Sequence, residues 1–376
     1  MGGCVRDTLL GLTPDDWDIT TNALPSQTTA VFGDCRVIET GLQHGTITVR
    51  YEDKNFEITT YRVDGAYVDS RHPDHVLFTP SVLEDVKRRD FTINALLWDP
   101  DAGILDLVSG IADLENNLLR CVGEPRTRFS EDALRILRAL RFAAVYGLNI
   151  EEDTAHAAIQ LADKLCAISA ERTRAEIYKL FCGKNAAEIL GEFTMVIRHI
   201  LPEISVTENL LQTLGRTPRE LPLRLALLLQ HTDTATVLKR LKTDNATITK
   251  VTQIIRALPL PPTTDRVALK KRLHVYSDKT LQDAITLHIA AENAVNEWMA
   301  TADALTALVA ENPCVSVGQL AVNGTQLMAL GLHGRAIGGM LEQLLVAVME
   351  EQCENKTHTL LTLAKRWAAS VKENKR

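Results

Sequence analysis

Two carboxylates separated by a single residue, Asp16 and Asp18, follow a short glycine-led run, Gly2-Gly3-Cys4-Val5-Arg6-Asp7-Thr8-Leu9-Leu10-Gly11. If the segment Asp16-Trp17-Asp18-Ile19 is a strand, its two-residue period sets both acids on one face and places Trp17 and Ile19 in the core. A side-by-side carboxylate pair on a rigid strand suits Mg²⁺ beside a phosphoryl group. The preceding run reads as a short helix with Val5, Leu9 and Leu10 on its apolar side and Gly11 as its stop. Gly2 and Gly3, just ahead of that helix, let backbone N–H groups approach an anion at its positive end. Arg6, one turn in, adds a charge-assisted contact to the same phosphates. Taken singly, a glycine pair is usually only a turn and Asp-x-Asp only a solvated loop pair.

A third acid comes from a hairpin. Thr46 to Tyr51 and Phe56 to Tyr61 alternate in strict two-residue period around Glu52-Asp53-Lys54-Asn55. Glu57 falls on the face opposite Phe56 and Ile58, free to point with the Asp pair. Residues 62 to 85 then form a long polar connection, of the kind that is functional or disordered inside a catalytic domain. Beyond it stands the octet Arg88-Arg89-Asp90-Phe91-Thr92-Ile93-Asn94-Ala95.

Further along, Ser130-Glu131-Asp132-Ala133-Leu134-Arg135-Ile136-Leu137-Arg138-Ala139-Leu140-Arg141-Phe142 reads as one helix. Ser130 is placed as its N-cap, with Phe129 and Leu134 as a hydrophobic staple. Ala133, Leu134, Ile136, Leu137 and Leu140 make its core face. Asp132, Arg135, Arg138 and Arg141 recur every three residues as a charged stripe, and such stripes are ordinarily solvated faces.

These groups need a scaffold. Strands are expected before residue 106 (with Pro25 and Gly33 bounding a helix and Asp99-Pro100 turning into a short strand), and helices almost throughout from residue 126. The fold class is therefore α+β: a small α/β head followed by a mostly α-helical remainder. The chain has 376 residues, enough for two to four compact units, and 45% hydrophobic with 24% charged residues is ordinary for a globular protein with ample material for a core. No apolar run spans a bilayer and no signal-peptide pattern opens the chain, so no membrane partner is expected. Seven cysteines, odd in number and without a Cys-x-x-Cys pair, suit free thiols in a reducing cytoplasm. The ten histidines show no metal-ligand spacing. Net charge is −7, but Lys87-Arg88-Arg89, the stretch Arg126 to Arg141, Arg172 with Arg174, and Lys270-Lys271-Arg272 form basic stripes compatible with a phosphate-rich substrate.

In this order and spacing, Gly-Gly-x-Val-Arg-Asp and Asp-x-Asp resemble the signature of the DNA-polymerase-β-like nucleotidyltransferases. They point to the class II branch, which holds tRNA CCA-adding enzymes and bacterial poly(A) polymerases. The octet from Arg88 resembles that branch's second motif, in which the acid and the asparagine, here Asp90 and Asn94, contact the ribose. Glu57 matches its third carboxylate, and the Asp99 to Asp106 turn and strand its hinge-like third motif. Glu131-Asp132 with Arg135 and the Arg138 to Phe142 continuation resemble the base-selecting motif. Ser169 to Ile177 is similar to a fifth, supporting motif, and Leu238-Lys239-Arg240-Leu241-Lys242 to a recurring body segment.

The base-selecting logic is chemical. Cytosine and adenine both present an amino donor beside a ring-nitrogen acceptor, whereas guanine and uracil present a carbonyl beside an N–H. A carboxylate, Asp132, accepting from the amino group and a guanidinium, Arg135, donating to the ring nitrogen would pair with C and A. Against G and U the same pair leaves buried groups unmatched. Arg138 and Arg141 would face the triphosphate. One pair that accepts both bases cannot decide when C gives way to A; the resemblance assigns that switch to a flexible loop, here residues 62 to 75, with Gly65, Asp64, Tyr67, Asp69 and Arg71.

The resemblance thus implies addition of CCA to the tRNA acceptor end from CTP and ATP, with two Mg²⁺ ions held by Asp16 and Asp18 and release of pyrophosphate. The expected parts are a catalytic head over 1–120, a base-recognising neck over 121–185, a body over 186–260 and a tRNA-binding tail over 261–376. In the tail, Gly331-Leu332-His333-Gly334-Arg335 offers a glycine turn before a helix, with Arg335 as an RNA contact and helix capping as the equal alternative. The enzyme is expected to act as a monomer or homodimer. Because the fold normally feeds the glycine turn from a strand, a start codon assigned too late is favoured over a missing strand. Competing readings are a poly(A) polymerase of the same branch, against which the short tail speaks, an enzyme adding only CC or only A, and an inactive RNA-binding homologue.

Overall fold

The computed structural model describes residues 1–14, 16–39, 41–65 and 75–373, without the side chains of 370–373. Two compact units divide the chain. The first comprises Met1–Leu211, Arg219–Leu221 and His231–Thr243, and the second Gln212–Pro218, Pro222–Gln230 and the chain from Asp244.

The first unit opens with α1 (Gly3–Leu9), β1 (Asp18–Thr21), α2 (Pro25–Val31), β2 (Arg36–Ile38), β3 (Thr46–Tyr51) and β4 (Lys54–Thr60). The strands form one mixed sheet in the order β1-β4-β3-β2, with β1 parallel to β4 and the other pairs antiparallel. The expected hairpin is present but turns more tightly: Tyr51 pairs with Lys54, leaving only Glu52 and Asp53 in the loop. Both have positive φ, 46° and 61°, the backbone of the turn whose twist matches paired strands. Ile47, Val49 and Ile58 point into a small core packed by Phe32, Cys35 and Val37, while Glu57 on the opposite face is exposed.

After β4 come β5 (Arg62–Asp64), β6 (Val76–Phe78), α3 (Val82–Lys87), a 3₁₀ turn at Thr92–Asn94, β7 (Leu97–Asp99), β8 (Gly103–Leu105) and α4 (Gly110–Glu115). Strands β5 and β6 pair antiparallel, as do β7 and β8, the latter realising the expected Asp99-Pro100 turn. Tyr67, Asp69 and Arg71 of the expected switching loop lie outside the described residues. Asp64 belongs to the loop's stem, where its carboxylate meets Arg62 at 3.1 Å and Arg88 at 3.8 Å.

Several expectations are corrected. Trp17 precedes β1, and both Trp17 and Ile19 are substantially exposed, at 53% and 43%, rather than in the core. The reason is topological: β1 pairs only with β4 at one edge of the sheet, away from the apolar layer under β3 and β4. Leu9 and Leu10 are likewise exposed. The seven-residue α1 docks only its first turn, where Cys4 and Val5 pack on Leu96. Gly11 does end it, with φ 72°, through Gly11 N–H to Thr8 O at 3.0 Å and Leu12 N–H to Asp7 O at 2.8 Å.

The single helix expected from Ser130 is two. After β9 (Leu118–Leu119), α5 (Pro125–Glu131) and α6 (Leu134–Tyr146) are separated by a corner at Asp132. Ser130 sits inside α5 rather than capping anything, because Pro125 at the first position and the Glu124 side chain, accepting from Arg126 N–H at 3.3 Å, start a helix earlier. Asp132 leaves helical geometry (φ −143°, ψ 104°) as the C-cap of α5, and its Oδ1 accepts from the N–H of Leu134, the first residue of α6, at 3.0 Å. The core face is as expected, with Ala133, Leu134, Ile136, Leu137 and Leu140 all buried. Next come β10 (Asn149–Ile150), which pairs parallel with β9, then α7 (Glu152–Gln160) and α8 (Ala170–Phe181), which packs along α6. β10 is a two-residue strand within the stretch from residue 126 that is otherwise helical among the described elements, in keeping with the expectation of an almost wholly helical remainder.

The second unit is helical. Leu269, Leu281, Ile285, Trp298, Leu305 and Leu308 form one core, and Leu327, Leu344, Leu345, Leu360 and Ala364 another. Lys270-Lys271-Arg272, expected as a basic stripe, is largely neutralised: Lys270 pairs with Glu351 at 2.8 Å and Lys271 with Glu350 at 2.6 Å, while Arg272 donates to Pro261 O at 2.6 Å. In the glycine-rich stretch, Asn323 and Gln326 form a reciprocal capping box. Arg335 is the exposed first residue of the helix Arg335–Met349, preceded by Gly334 with φ 54°.

Candidate active site

A cleft of about 420 Å³ in the first unit is lined by Gly2, Gly3, Cys4, Arg6, Asp7, Asp16, Asp18, Arg89, Asp90, Asn94, Arg138, Arg141, Phe142 and Tyr146. Its acidic edge is built by the first residue of β1, Asp18, and by Asp16, which lies before the strand rather than on it as expected. Asp16 and Asp18 are exposed there, and Asp18 is the register partner of Glu57 on β4. In parallel strands, register partners share a face, so Glu57 stands beside Asp18 although it is not among the lining residues. Gly2 leads into α1 as its N-cap. It has φ 73° and its N–H donates to Leu96 O at 2.8 Å; a Cβ there would lie 3.3 Å from Asn94 O, so both strain and space favour glycine.

The same cleft also has a cationic lining. Arg6, only 5% exposed, donates from Nε and Nη2 to Asp7 Oδ1, from Nη2 to Tyr146 Oη at 2.6 Å, and from Nη1 to Asn94 Oδ1. Arg138 of α6 makes a two-point contact with Asp90 Oδ2, at 2.8 Å from Nε and 2.6 Å from Nη2. Asp90 also accepts from Phe91 N–H at 2.8 Å and from Asn94 Nδ2 at 3.3 Å. Burial pushes the Asp90 carboxyl up, but Arg138 and these hydrogen bonds outweigh it and hold the pKa below the usual carboxylate range. Asp90 in turn raises Arg138, against its own burial. Arg141 is ion-paired with Glu176 of α8, yet loss of solvent lowers its pKa.

Arg88 and Arg89 converge on a different acid. Asp85 is fully buried and accepts from Arg88 at 2.7 Å, from Arg89 at 3.1 Å and from the Arg62 backbone N–H at 3.2 Å. Burial raises Asp85 and its two arginines more than reverse this, leaving the carboxyl low. Arg89 lines the cleft; Arg88 is turned towards Asp85 and Asp64 and lies outside it.

Asp132 and Arg135 also lie outside the lining, and they do not pair with each other. Asp132 Oδ2 meets Arg172 of α8 at 2.7 Å. Arg135 Nη1 meets Glu131 at 2.6 Å and Arg128 O at 3.1 Å, while its Nη2 reaches Arg88 O at 3.2 Å. With Asp132 at the helix corner, the regular four-member stripe shrinks to the three arginines on α6. Arg335 stands in the second unit, at a helix start.

Four lining residues carry no expectation from the sequence: Cys4, Asp7, Phe142 and Tyr146. Asp7 stands in the Gly-Gly-x-Val-Arg-Asp run and Phe142 ends the arginine run, so both lay within recognised motifs. Tyr146 had no local signal, because only the docking of α6 beside α1 brings it to Arg6. Among the described residues no three His, Cys, Asp or Glu side chains converge as a ready metal cluster.

Comparison with known proteins identifies the family. Residues 1–120 match the family described as Poly A polymerase head domain, and residues 221–364 that described as tRNA nucleotidyltransferase domain 2. A CCA-adding enzyme of Lactiplantibacillus plantarum is 36% identical over 98% of this chain and 92% of its own length. The chain belongs to the family of CCA-adding enzymes. A CCA-adding enzyme of Enterococcus faecalis is 33% identical, covering 97% of this chain and 91% of its own. Among solved structures, the Bacillus stearothermophilus CCA-adding enzyme in complex with CTP superposes with a TM-score of 0.84 at 30% identity, over 99% of this chain and 93% of that one. A Thermotoga maritima CCA-adding enzyme complexed with tRNA shares the fold, with a TM-score of 0.68 at 19% identity over 98% of this chain and 90% of that one. As in the expected class, a small α+β head is thus joined to helices, and no described helix is long and apolar enough to cross a membrane.

Proposed function

We propose that this chain completes the 3′-terminal CCA of tRNA, transferring cytidylate and adenylate from CTP and ATP without a nucleic-acid template. The observation that carries the reading is that one cleft is lined both by Asp16 and Asp18, with Glu57 in register beside Asp18, and by Arg6, Arg138 and Arg141. Such a cleft fits a reaction in which a polyanion is oriented while an oxygen attacks phosphorus. The tRNA 3′-hydroxyl oxygen forms a bond to the α-phosphorus as the bond to the bridging oxygen breaks and pyrophosphate departs. No protein nucleophile is required, so the residues act by position and charge.

Asp16 and Asp18 are the residues that would hold Mg²⁺. They are exposed hard-oxygen donors. Mg²⁺ is typically held by one or two carboxylates plus substrate phosphates and water, so a pair fits without a three-ligand cluster. Bound there, the two ions expected of the family would acidify the attacking hydroxyl and offset charge on the leaving group. Glu57 completes the carboxylate edge. Arg6, Arg138 and Arg141 bind the triphosphate and stabilise pyrophosphate as it leaves, with Gly2 and Gly3 admitting the phosphates close to the backbone. Asp90 and Asn94 take the ribose, and Arg88 and Arg89 border that subsite. Asp132 and Arg135 read the base edge. Asp132 already uses both oxygens, yet a carboxylate has further lone pairs for an amino group.

In this reading residues 1–120 are the catalytic head, 121–185 the neck, 186–260 the body and 261–376 the tail that holds the acceptor end in the cytoplasm, Arg335 included. The test supplies tRNA ending at the discriminator base with one nucleoside triphosphate at a time, then both, and sequences the 3′ ends. Two C residues from CTP alone and a terminal A when ATP follows are expected. Arrest after CC, A addition only, or long A tails would overturn the assignment.

A further inference from the structure

Three of the four arginines that line the cleft, Arg6, Arg138 and Arg141, share one aromatic ring. The guanidinium carbon of Arg141 lies 3.8 Å from the centroid of Phe142, that of Arg6 5.1 Å and that of Arg138 5.4 Å. Phe142 is 4% exposed and cannot drift: it stacks on Tyr146 at 6.0 Å and meets Phe91 edge-on at 5.8 Å. Tyr146 adds a second ring 4.4 Å from Arg6 and a hydroxyl that accepts from it.

Each of these arginines also has one acid, Asp7, Asp90 or Glu176. A carboxylate fixes a guanidinium but cancels its charge, which is what a triphosphate must use. An aromatic face attracts the cation through its quadrupole and cancels no net charge. It also partly replaces the water lost by a buried guanidinium such as Arg141. Three cations drawn from α1 and α6 to one point would otherwise repel one another. An aliphatic side chain of similar size would fill the space of Phe142 and supply none of this attraction.

We infer that Phe142, backed by Tyr146, is a positioning residue for nucleotide binding, gathering Arg6, Arg138 and Arg141 around one ring so that their charge faces the triphosphate. The inference rests on the proposed phosphate-binding role of these arginines.

The experiment replaces Phe142 in the full chain with mono-, di- and trifluorinated phenylalanine, which empties the ring face of electron density while keeping its shape. Dissociation constants for CTP and inhibition constants for pyrophosphate are measured, with kcat and KM for CTP and the melting temperature alongside. Expected is a stepwise weakening of both ligands, on the order of ten-fold across the series, entering through KM, with the melting temperature nearly constant. Phe142→Tyr should retain binding and Phe142→Leu should lose it. Arg138→Ala and Arg141→Ala are measured in parallel. If they weaken pyrophosphate while the fluorinated series stays flat, the inference fails and the phosphate reading stands. If neither they nor the series has an effect, the phosphate reading itself fails. A series that responds while the arginine variants do not would overturn the inference, since the ring would then act by another route.

Discussion

Asp18 and Glu57, far apart in sequence, are register partners on the parallel strands β1 and β4. Asp18 therefore has a carboxylate neighbour fixed by backbone pairing rather than by a mobile loop. Replacing Asp18 or Asp16 by Ala should lower turnover roughly 100- to 1,000-fold with tRNA affinity nearly unchanged, because the acids serve the reacting phosphate and not the RNA. Glu57→Ala should have a smaller effect in the same direction. Single-turnover rates with a gel-shift titration of tRNA check this; near-normal turnover by Asp18→Ala would remove the pair from the reaction.

If Asp132 reads the base edge as proposed, its ion pair with Arg172 should make Arg172 a partner in base choice. Asp132→Ala should erode the preference for C and A over G and U, because the group accepting from the base amino group is gone. Arg172→Ala should erode it partly, by releasing the Asp132 carboxylate from its corner. Misincorporation with all four nucleoside triphosphates, compared in a double-mutant cycle, reads the coupling between the two. The pair is partly exposed, at 23% and 16% for the side chains, so its direct contribution to stability should stay within about 1 kcal/mol. Unchanged selectivity in both variants would place base choice elsewhere.

Asp90 and Arg138 predict an acid-side loss of stability. The Asp90 pKa is depressed in the folded chain, so its contribution is fully present above the unfolded carboxyl value of about 4 and is lost as pH falls through the folded value. Melting temperatures of the unmodified chain should drop as pH falls below about 4. Asp90→Asn should melt lower at pH 7 and show a shallower acid decline. An acid limb of unchanged steepness would mean that other carboxylates control it.

The cysteines should separate by burial. The Cys121 thiol is pushed up to about 12 by desolvation, so almost no thiolate exists at pH 8, and Cys4 is buried as well. Cys166 is exposed. A thiol reagent at pH 8 should modify Cys166 first and reach Cys4 and Cys121 only on unfolding, as mass spectrometry of peptides after timed quenching would show. Early labelling of Cys121 would contradict its placement beside Phe91.

The sequence by itself singled out the candidate residues for chemistry and determined which face some local elements bury. Period-two alternation put Glu57 opposite Phe56 and Ile58, and helical spacing picked out Ile136, Leu137 and Leu140 as core. Both are properties of a few consecutive residues, and the structure keeps them. Motif order likewise carried the family. Tertiary structure decided the partners. Asp132 pairs with Arg172, 40 residues away, and Arg138 with Asp90, 48 residues away. No local period encodes such choices, since an ion pair depends on where two elements meet. The helix break at Asp132 followed from a competition that spacing alone could not resolve, between Ser130 as a cap and an earlier start at Pro125. The same limit applied to Trp17 and Ile19, whose alternation was visible while the edge position of β1, which leaves them exposed, was not. It applied also to Lys270 and Lys271, whose charge is met by Glu351 and Glu350 in the turn after the helix Arg335–Met349, about 80 residues on. Local sequence fixes the direction in which a side chain leaves its backbone; what it finds there is set by the packing of elements distant along the chain.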